Sequence, residues 1–324
     1  MNRSRFYWAS AMALVITAIA PVAHAEDPYP NRPIKMVAPY EPGGGVDIMA
    51  RMVAQNLGKE IGQSVVVENR AGVGGAIGTR YVATAPPDGY TLLLASTSPV
   101  VIAPHLVKNV GYDPEKDLTP VSLIADVPAL LVVKPDAPFE NLAALIARAK
   151  AEPGKYTVSS SGIGGTAHLA MQLLKMMAGV DLLHVPYKGT GPAITAVMGG
   201  EVTMTFTDIV SGLKYVQGGQ LRALAITGEQ RSPQLPNVPT VAETVPGYAA
   251  GVWYAVFAPA RTPAAIVDSL NAALVRTLKE DLGSTLALQG VQPIGSSPAQ
   301  LSTYVKQEDA RWSEVVKAAG MKPE

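Results

Sequence analysis

Three adjacent serines and a threonine flank a glycine turn in Ser159-Ser160-Ser161-Gly162-Ile163-Gly164-Gly165-Thr166, the most specific chemical signal in the sequence. Hydroxyls and backbone N–H groups around such a turn can donate to an anion; they can equally cap the helix that starts at Thr166. Nucleophilic catalysis would need further partners. No G-x-S-x-G elbow occurs, and Ser211-x-x-Lys214 lacks the S-D-N and K-T-G companions of that motif, Lys188-Gly189-Thr190 running in the wrong order. For a metal there are only the widely spaced His105, His168 and His184 beyond the N-terminal segment, without H-E-x-x-H and without cysteine. His168 falls in the first turn of the helix after Gly165, where it could reach a cleft or pack locally. Asp208, at the end of a strand, reads equally as the cap of the next helix and as a partner for waters or a ligand ammonium.

The same turn imitates a dinucleotide fingerprint, Gly162-x-Gly164-x-x-Ala167 with Asp181 further on. The context fails: Asp181 precedes the strand-like Leu182–Pro186, whereas a ribose-binding acid sits at the far end of that strand. Two more turns share the pattern of an apolar run, a glycine cluster and a helix. They are Pro39-Tyr40-Glu41-Pro42-Gly43-Gly44-Gly45-Val46-Asp47 and Asn69-Arg70-Ala71-Gly72-Val73-Gly74-Gly75. A helix N-terminus offers unpaired N–H groups and the positive end of the dipole, and glycine lets a ligand approach them closely. The expectation is a pocket that holds an anion by neutral donors, and binding rather than catalysis. Glu41, inside the first turn, would repel an anion or meet an ammonium.

Strand and helix patterns alternate around these turns. Ile34–Tyr40, Ser64–Glu68 and Tyr90–Ala95 read as strands, with helices over Val46–Ile61 and Ala76–Ala85 between them, a β-α-β-α-β run that implies a parallel sheet. Thr119–Ile124 and Ala129–Val133 then read as two strands with no helix between, where the chain is expected to cross into a second domain. Alternation resumes from Leu142 to Thr227. Trp253–Ala258 reads as a strand returning to the first domain, and helices over Pro263–Glu280 and Pro298–Ala319 close the chain. Two α/β domains place a cleft between them, and all three turns lie at carboxyl ends of strands, where such sheets bind ligands.

Composition narrows the setting. Arg3 and Arg5, the apolar run Phe6 to Ala20 and Ala23-His24-Ala25 have the form of a signal peptide cleaved after Ala25, its apolar run shorter than a membrane span needs. The absence of cysteine excludes disulfides and lipid attachment at the cleavage site. The whole chain has no formal net charge, and removing Arg3 and Arg5 leaves two more acids than bases, so no basic stripe for nucleic acid exists.

In these segments the chain resembles the periplasmic solute-binding proteins of tripartite tricarboxylate transporters, the Bug receptors. The resemblance rests on Tyr29-Pro30-Asn31-Arg32-Pro33-Ile34, Pro42 to Asp47, Val67 to Gly75 and Pro87-Asp88-Gly89-Tyr90-Thr91-Leu92-Leu93. It continues through Gly165-Thr166-Ala167-His168-Leu169, His184-Val185-Pro186-Tyr187-Lys188-Gly189, Gly219 to Ala225 and Arg231 to Thr240. It implies an α/β, two-domain, type II periplasmic-binding-protein-like fold. Residues 26–125 plus 250–324 would form domain 1 and residues 126–249 domain 2. It further implies a monomer that binds a small carboxylate (a di- or tricarboxylate, aromatic acid or amino acid) and docks on the transporter's membrane subunits, without cofactor, metal or catalysis. The site residues it implies are Tyr40, Gly43, Gly44, Gly45 and Asp47 in the first loop and Gly72, Gly74 and Gly75 in the second. Donors would come from Ser96, Ser161, Gly164, Thr166 and His168, and Asp208 would reach in from the second domain. Glu41 departs from the uncharged residue expected there, and Lys214-Tyr215-Val216 replaces a commoner Pro-His-aliphatic stretch. A ligand sensor for a membrane kinase and an exported hydrolase are the alternative functions.

Overall fold

A computed structural model describes residues 29–228, 230–318 and 320–321; the expected signal segment lies outside the described residues. The first half of the sheet follows the expected run: Ile34–Ala38 (β1), Gly45–Ile61 (α1), Val65–Asn69 (β2), Ala76–Ala83 (α2) and Thr91–Ser96 (β3). β1 lies between β2 and β3 and parallel to both, with Met36 opposite Val67 on one side and Leu92 on the other. α1 covers this sheet because Met49, Val53 and Leu57 recur on one helical face and are fully buried. Gly62 ends it in the left-handed region at φ 68°.

Two short helical turns, Ala103–Leu106 (α3) and Pro114–Asp117 (α4), lead into the long strand Leu118–Val133 (β4). The second half contains Leu142–Ala151 (α5), Thr157–Ser160 (β5), Thr166–Ala178 (α6), Leu183–Pro186 (β6), Thr190–Gly199 (α7), Met204–Asp208 (β7), Ile209–Gln217 (α8) and Arg222–Ile226 (β8). The chain then returns through Gly251–Pro259 (β9), Ala264–Lys279 (α9), Asp281–Leu288 (α10), Gln292–Pro293 (β10) and Pro298–Ala318 (α11). The strand order is β2-β1-β3-β9-β4-β7-β5-β6, with β8 and β10 joined to β4.

β4 corrects the expectation of two separate strands over 119–133. It is one strand of 16 residues, and its prolines explain why the sequence looks broken. Proline gives no N–H to a ladder and is placed where pairing is irregular. The register shifts next to Pro120, and Pro128 sits where β4 exchanges partners: up to Pro128 it pairs with β9, and from Ala129 it pairs with β7. β4 is thus shared by the two halves of the sheet. α11 packs back on β9, where the indole N–H groups of Trp253 and Trp312 both donate to Glu308 Oε2, at 3.2 and 3.0 Å.

Candidate functional site

The carboxyl ends of β1, β2 and β3 from one half, and of β5, β6 and β7 from the other, meet at a common seam. A small cavity of about 40 Å³ lies there beside an outer chamber of about 530 Å³, and Tyr40 and Ser161 line both. The inner cavity has room for roughly two or three ordered waters.

Three helices aim their first turns at the inner cavity. Gly45 and Val46 of α1, Thr166 and Ala167 of α6, and Thr190 of α7 all line it. The residues before these helices are Gly44, Gly165 and Gly189, so no side chain caps any of the three. Side-chain caps occur on α4, α5 and α8, from Asp113, Asn141 and Asp208, whereas α2, α3, α9 and α10 also start without one; what sets α1, α6 and α7 apart is that their first turns share one cavity. An uncapped N-terminus keeps its N–H donors and its partial positive charge for an outside acceptor. Beside these backbone groups, the hydroxyls of Ser161, Thr166 and Thr190 form no hydrogen bond with another described residue, although Ser161 and Thr166 are only partly exposed.

The other serines of the cluster are committed elsewhere. Ser159 Oγ donates to Ala193 O at 2.9 Å, tying β5 to α7, and Ser160 Oγ lies 2.6 Å from His184 Nε2. Ser159 and Ser160 are thus spent within the second half, and only Ser161, just past the end of β5, lines the seam.

Asp208 closes the floor. Its Oδ1 accepts from Ser211 N at 2.8 Å and its Oδ2 from Ser211 Oγ at 3.1 Å, so it caps α8 while its carboxylate borders the cavity. Burial pushes this carboxyl above the usual carboxylate range, against the downward pull of the Ser211 donors and the Tyr254 hydroxyl. Burial also raises the Tyr254 phenol, and Asp208 adds to that rise. Gly45 is the residue that makes room for both. A Cβ on it would overlap Asp208 Oδ2 and the Tyr254 hydroxyl.

The second glycine turn builds the outer chamber. Gly72, Val73, Gly74 and Gly75 have φ of 136°, 48°, 61° and 95°, an unbroken run of positive φ that coils the chain tightly at the chamber wall. Tyr40 donates its hydroxyl proton to Gly74 O at 2.7 Å, and burial raises its pKa. Ser96, buried on the inner cavity, has its Oγ 3.5 Å from the Tyr40 hydroxyl. Ser98 bridges the halves, its hydroxyl 2.7 Å from Gly164 O and 3.3 Å from Gly74 O.

The structure thus brings Tyr40, Gly44, Gly45, Ser96, Ser161, Thr166 and Asp208 to the inner cavity and Gly72, Gly74 and Gly75 to the outer chamber. Four expected residues border neither. Asp47 is buried beneath the first turn, where Oδ2 accepts from Gly43 N at 2.9 Å and Oδ1 from Asn69 Nδ2 at 3.0 Å. Arg51 adds an ion pair at 2.9 Å. This spends the Gly43 N–H and makes both residues organisers of the loop. Gly164 gives its carbonyl to Ser98 and its N–H to His168 Nδ1 at 3.1 Å. His168 stacks flat on His184 with ring centroids 3.8 Å apart, outside both chambers. Burial holds it neutral, pushing its pKa down to about 3, with neighbouring His184 and Lys175 adding to the shift. Since Nδ1 accepts from Gly164 N–H, the ring proton lies on Nε2. Glu41 is exposed on the rim of the outer chamber.

Thr190 and Tyr254 belong to the cavity and are not among the residues expected from sequence. Thr190 had a signal: Gly189-Thr190 repeats the Gly165-Thr166 step at the start of a helix after a strand. Tyr254 had none, because strand alternation does not say which side of β9 faces the seam.

With this geometry in hand, comparison with known proteins is specific. The family model described as the tripartite tricarboxylate transporter family receptor matches residues 49–321. Protein BugT of Bordetella pertussis is 39% identical over 325 residues, covering 99% of each chain. Rpa4515 of R. palustris, solved with adipate, superposes with a TM-score of 0.89 at 38% identity, covering 91% of this chain and 100% of that one. The periplasmic binding protein BugD superposes with a TM-score of 0.87 at 35% identity, over 91% of this chain and 100% of its own.

Proposed function

The chain belongs to the tripartite tricarboxylate transporter family of receptors, and we propose that it captures a small carboxylate at the seam and hands it to the membrane subunits of such a transporter. The observation that carries this reading is the convergence of α1, α6 and α7, each preceded by glycine and uncapped, on one cavity. Each helix contributes roughly half a positive charge and free N–H groups, which suit a carboxylate and involve no buried cation. Neutral donors and bridging waters also permit release, which a delivery protein needs. The adipate bound to Rpa4515 is a carboxylate of this class.

An inner cavity of about 40 Å³ takes no more than the carboxylate end of an acid such as adipate, and the rest would lie in the outer chamber. We take residues 26–125 with 250–324 as one domain and 126–249 as the other, hinged where β4 and β9 cross between them. Likeness to periplasmic BugD supports export to the periplasm, with cleavage after Ala25. A monomer is sufficient, since both walls of the seam come from one chain.

The reading as a receptor rather than an exported hydrolase rests on the hydroxyls. Ser160 with His184 is the only hydroxyl–imidazole contact among the described residues; it lies outside the inner cavity, and no carboxylate among them orients the ring. The test is thermal unfolding of the chain from Glu26 with adipate, malate, phenylacetate and amino acids. A true ligand stabilises by RT ln(1 + [L]/Kd), about 2.7 kcal/mol at 100 times Kd. Thr166→Val with Thr190→Val should weaken every ligand that binds. A panel in which no carboxylate shifts the transition defeats the proposal.

A further inference from the structure

The outer chamber has a character that the inner cavity lacks. Its walls carry Val73 and Ile163 from turns on opposite halves, together with Leu106. Val73 is 55% exposed and Ile163 48% exposed, so two large apolar side chains face the same empty space. Among the described residues, no arginine, asparagine, glutamine or histidine lines it. Val73 is also held at φ 48°, a conformation that a β-branched residue rarely adopts and that glycine, its neighbour on both sides, would adopt freely. Such an outlier persists only where the surrounding structure over-determines it, as the tight glycine turn does here.

The charges at the rim cancel. Glu41 comes from one half and Lys188 from the other, both exposed, and neither forms an ion pair with another described residue. A second ligand carboxylate drawn by Lys188 would meet Glu41 as well, so the rim gives little preference for a second charge. The walls, by contrast, gain from covering apolar surface.

We propose that the preferred ligand is a monocarboxylate with a bulky apolar body, such as an arylacetate or a cyclic aliphatic acid. Its carboxylate lies past Tyr40 and Ser161 at the helix N-termini, and its body fills the outer chamber against Val73, Leu106 and Ile163. A chamber of about 530 Å³ accommodates a ring of that kind. This rests on the carboxylate-receptor reading and narrows it.

The experiment is calorimetric titration of the chain from Glu26 with phenylacetate, cyclohexanecarboxylate, adipate and malate, repeated on Ile163→Asn. Ile163 is on an exposed turn, and a thermal melt verifies that the variant folds. The expected result is phenylacetate and cyclohexanecarboxylate binding at least about tenfold tighter than adipate or malate. Ile163→Asn should cost the two ring acids about tenfold and leave malate within about twofold. Adipate or malate binding as tightly as the ring acids would overturn this inference and leave the receptor reading standing. An Ile163→Asn variant that weakens all acids equally, or none, would remove the body from the chamber and also overturn it. Binding of no carboxylate would overturn both readings.

Discussion

Gly45 and Asp208 face each other across the seam so closely that a single methyl group on Gly45 would overlap the carboxylate oxygen. One residue starts the α1 helix of the first half; the other caps α8 of the second. The contact puts the positive end of α1 beside the protein's own buried acid, which partly offsets the cost of burying that acid. It also means that closure of the two halves is limited by the size of residue 45.

Gly45→Ala tests this directly. The new methyl also meets the Tyr254 hydroxyl, and Asp208 is pinned by Ser211, so the halves must shift apart. Overpacking of this kind costs about 1–3 kcal/mol. The expected outcome is a Tm several degrees lower and a ligand affinity at least tenfold weaker, measured by calorimetry. A variant with unchanged affinity would show that the seam does not close this far when a ligand is bound.

Asp208 should couple binding to protons. Its pKa is raised by burial, so the native protein holds this proton to higher pH than the unfolded chain does. Native stability from this group is therefore present at low pH and is lost as pH rises through the raised value. An incoming carboxylate adds a second negative charge beside it and favours the protonated form further. Affinity should rise as pH is lowered through the raised value. Asp208→Asn keeps an acceptor for Ser211 N and should flatten that dependence. Parallel pH profiles for the two proteins would exclude Asp208 as the proton acceptor.

Much of this site is legible in the order of the amino acids alone. The strand–glycine–helix turns at Gly43–Gly45 and Gly162–Gly165 mark helix N-termini because glycine replaces the usual capping side chain there. What the sequence does not resolve is direction. Asp47 and His168 have the same local context as residues that line the cavity, yet each turns back to fasten its own loop, Asp47 to Gly43 and His168 to Gly164. Whether a polar side chain reaches outward or inward depends on what packs beneath it, and that comes from Asn69 and His184, which are far along the chain. The continuity of β4 is hidden for a similar reason. Pro128 looks like a break until β9 and β7 are seen to exchange at that residue.

The stacked histidines predict acid sensitivity of the third turn. Burial holds His168 down to about 3 and His184 down to about 4, while an unfolded histidine titrates near 6.5. Below about pH 6.5 the unfolded chain takes up protons that the native pair refuses, so stability falls with falling pH down to about 4. Each ring contributes at most about 1.4 kcal/mol per pH unit in that window. Protonation of His168 Nδ1 would also eject the Gly164 N–H, and Gly164 O is the acceptor through which Ser98 joins the halves. His168→Asn places an acceptor oxygen near the Nδ1 position and removes the titrating ring. The expected outcome is a Tm-against-pH curve with about half the wild-type slope between pH 6.5 and 4. An unchanged slope would place the acid-sensitive groups elsewhere in the chain.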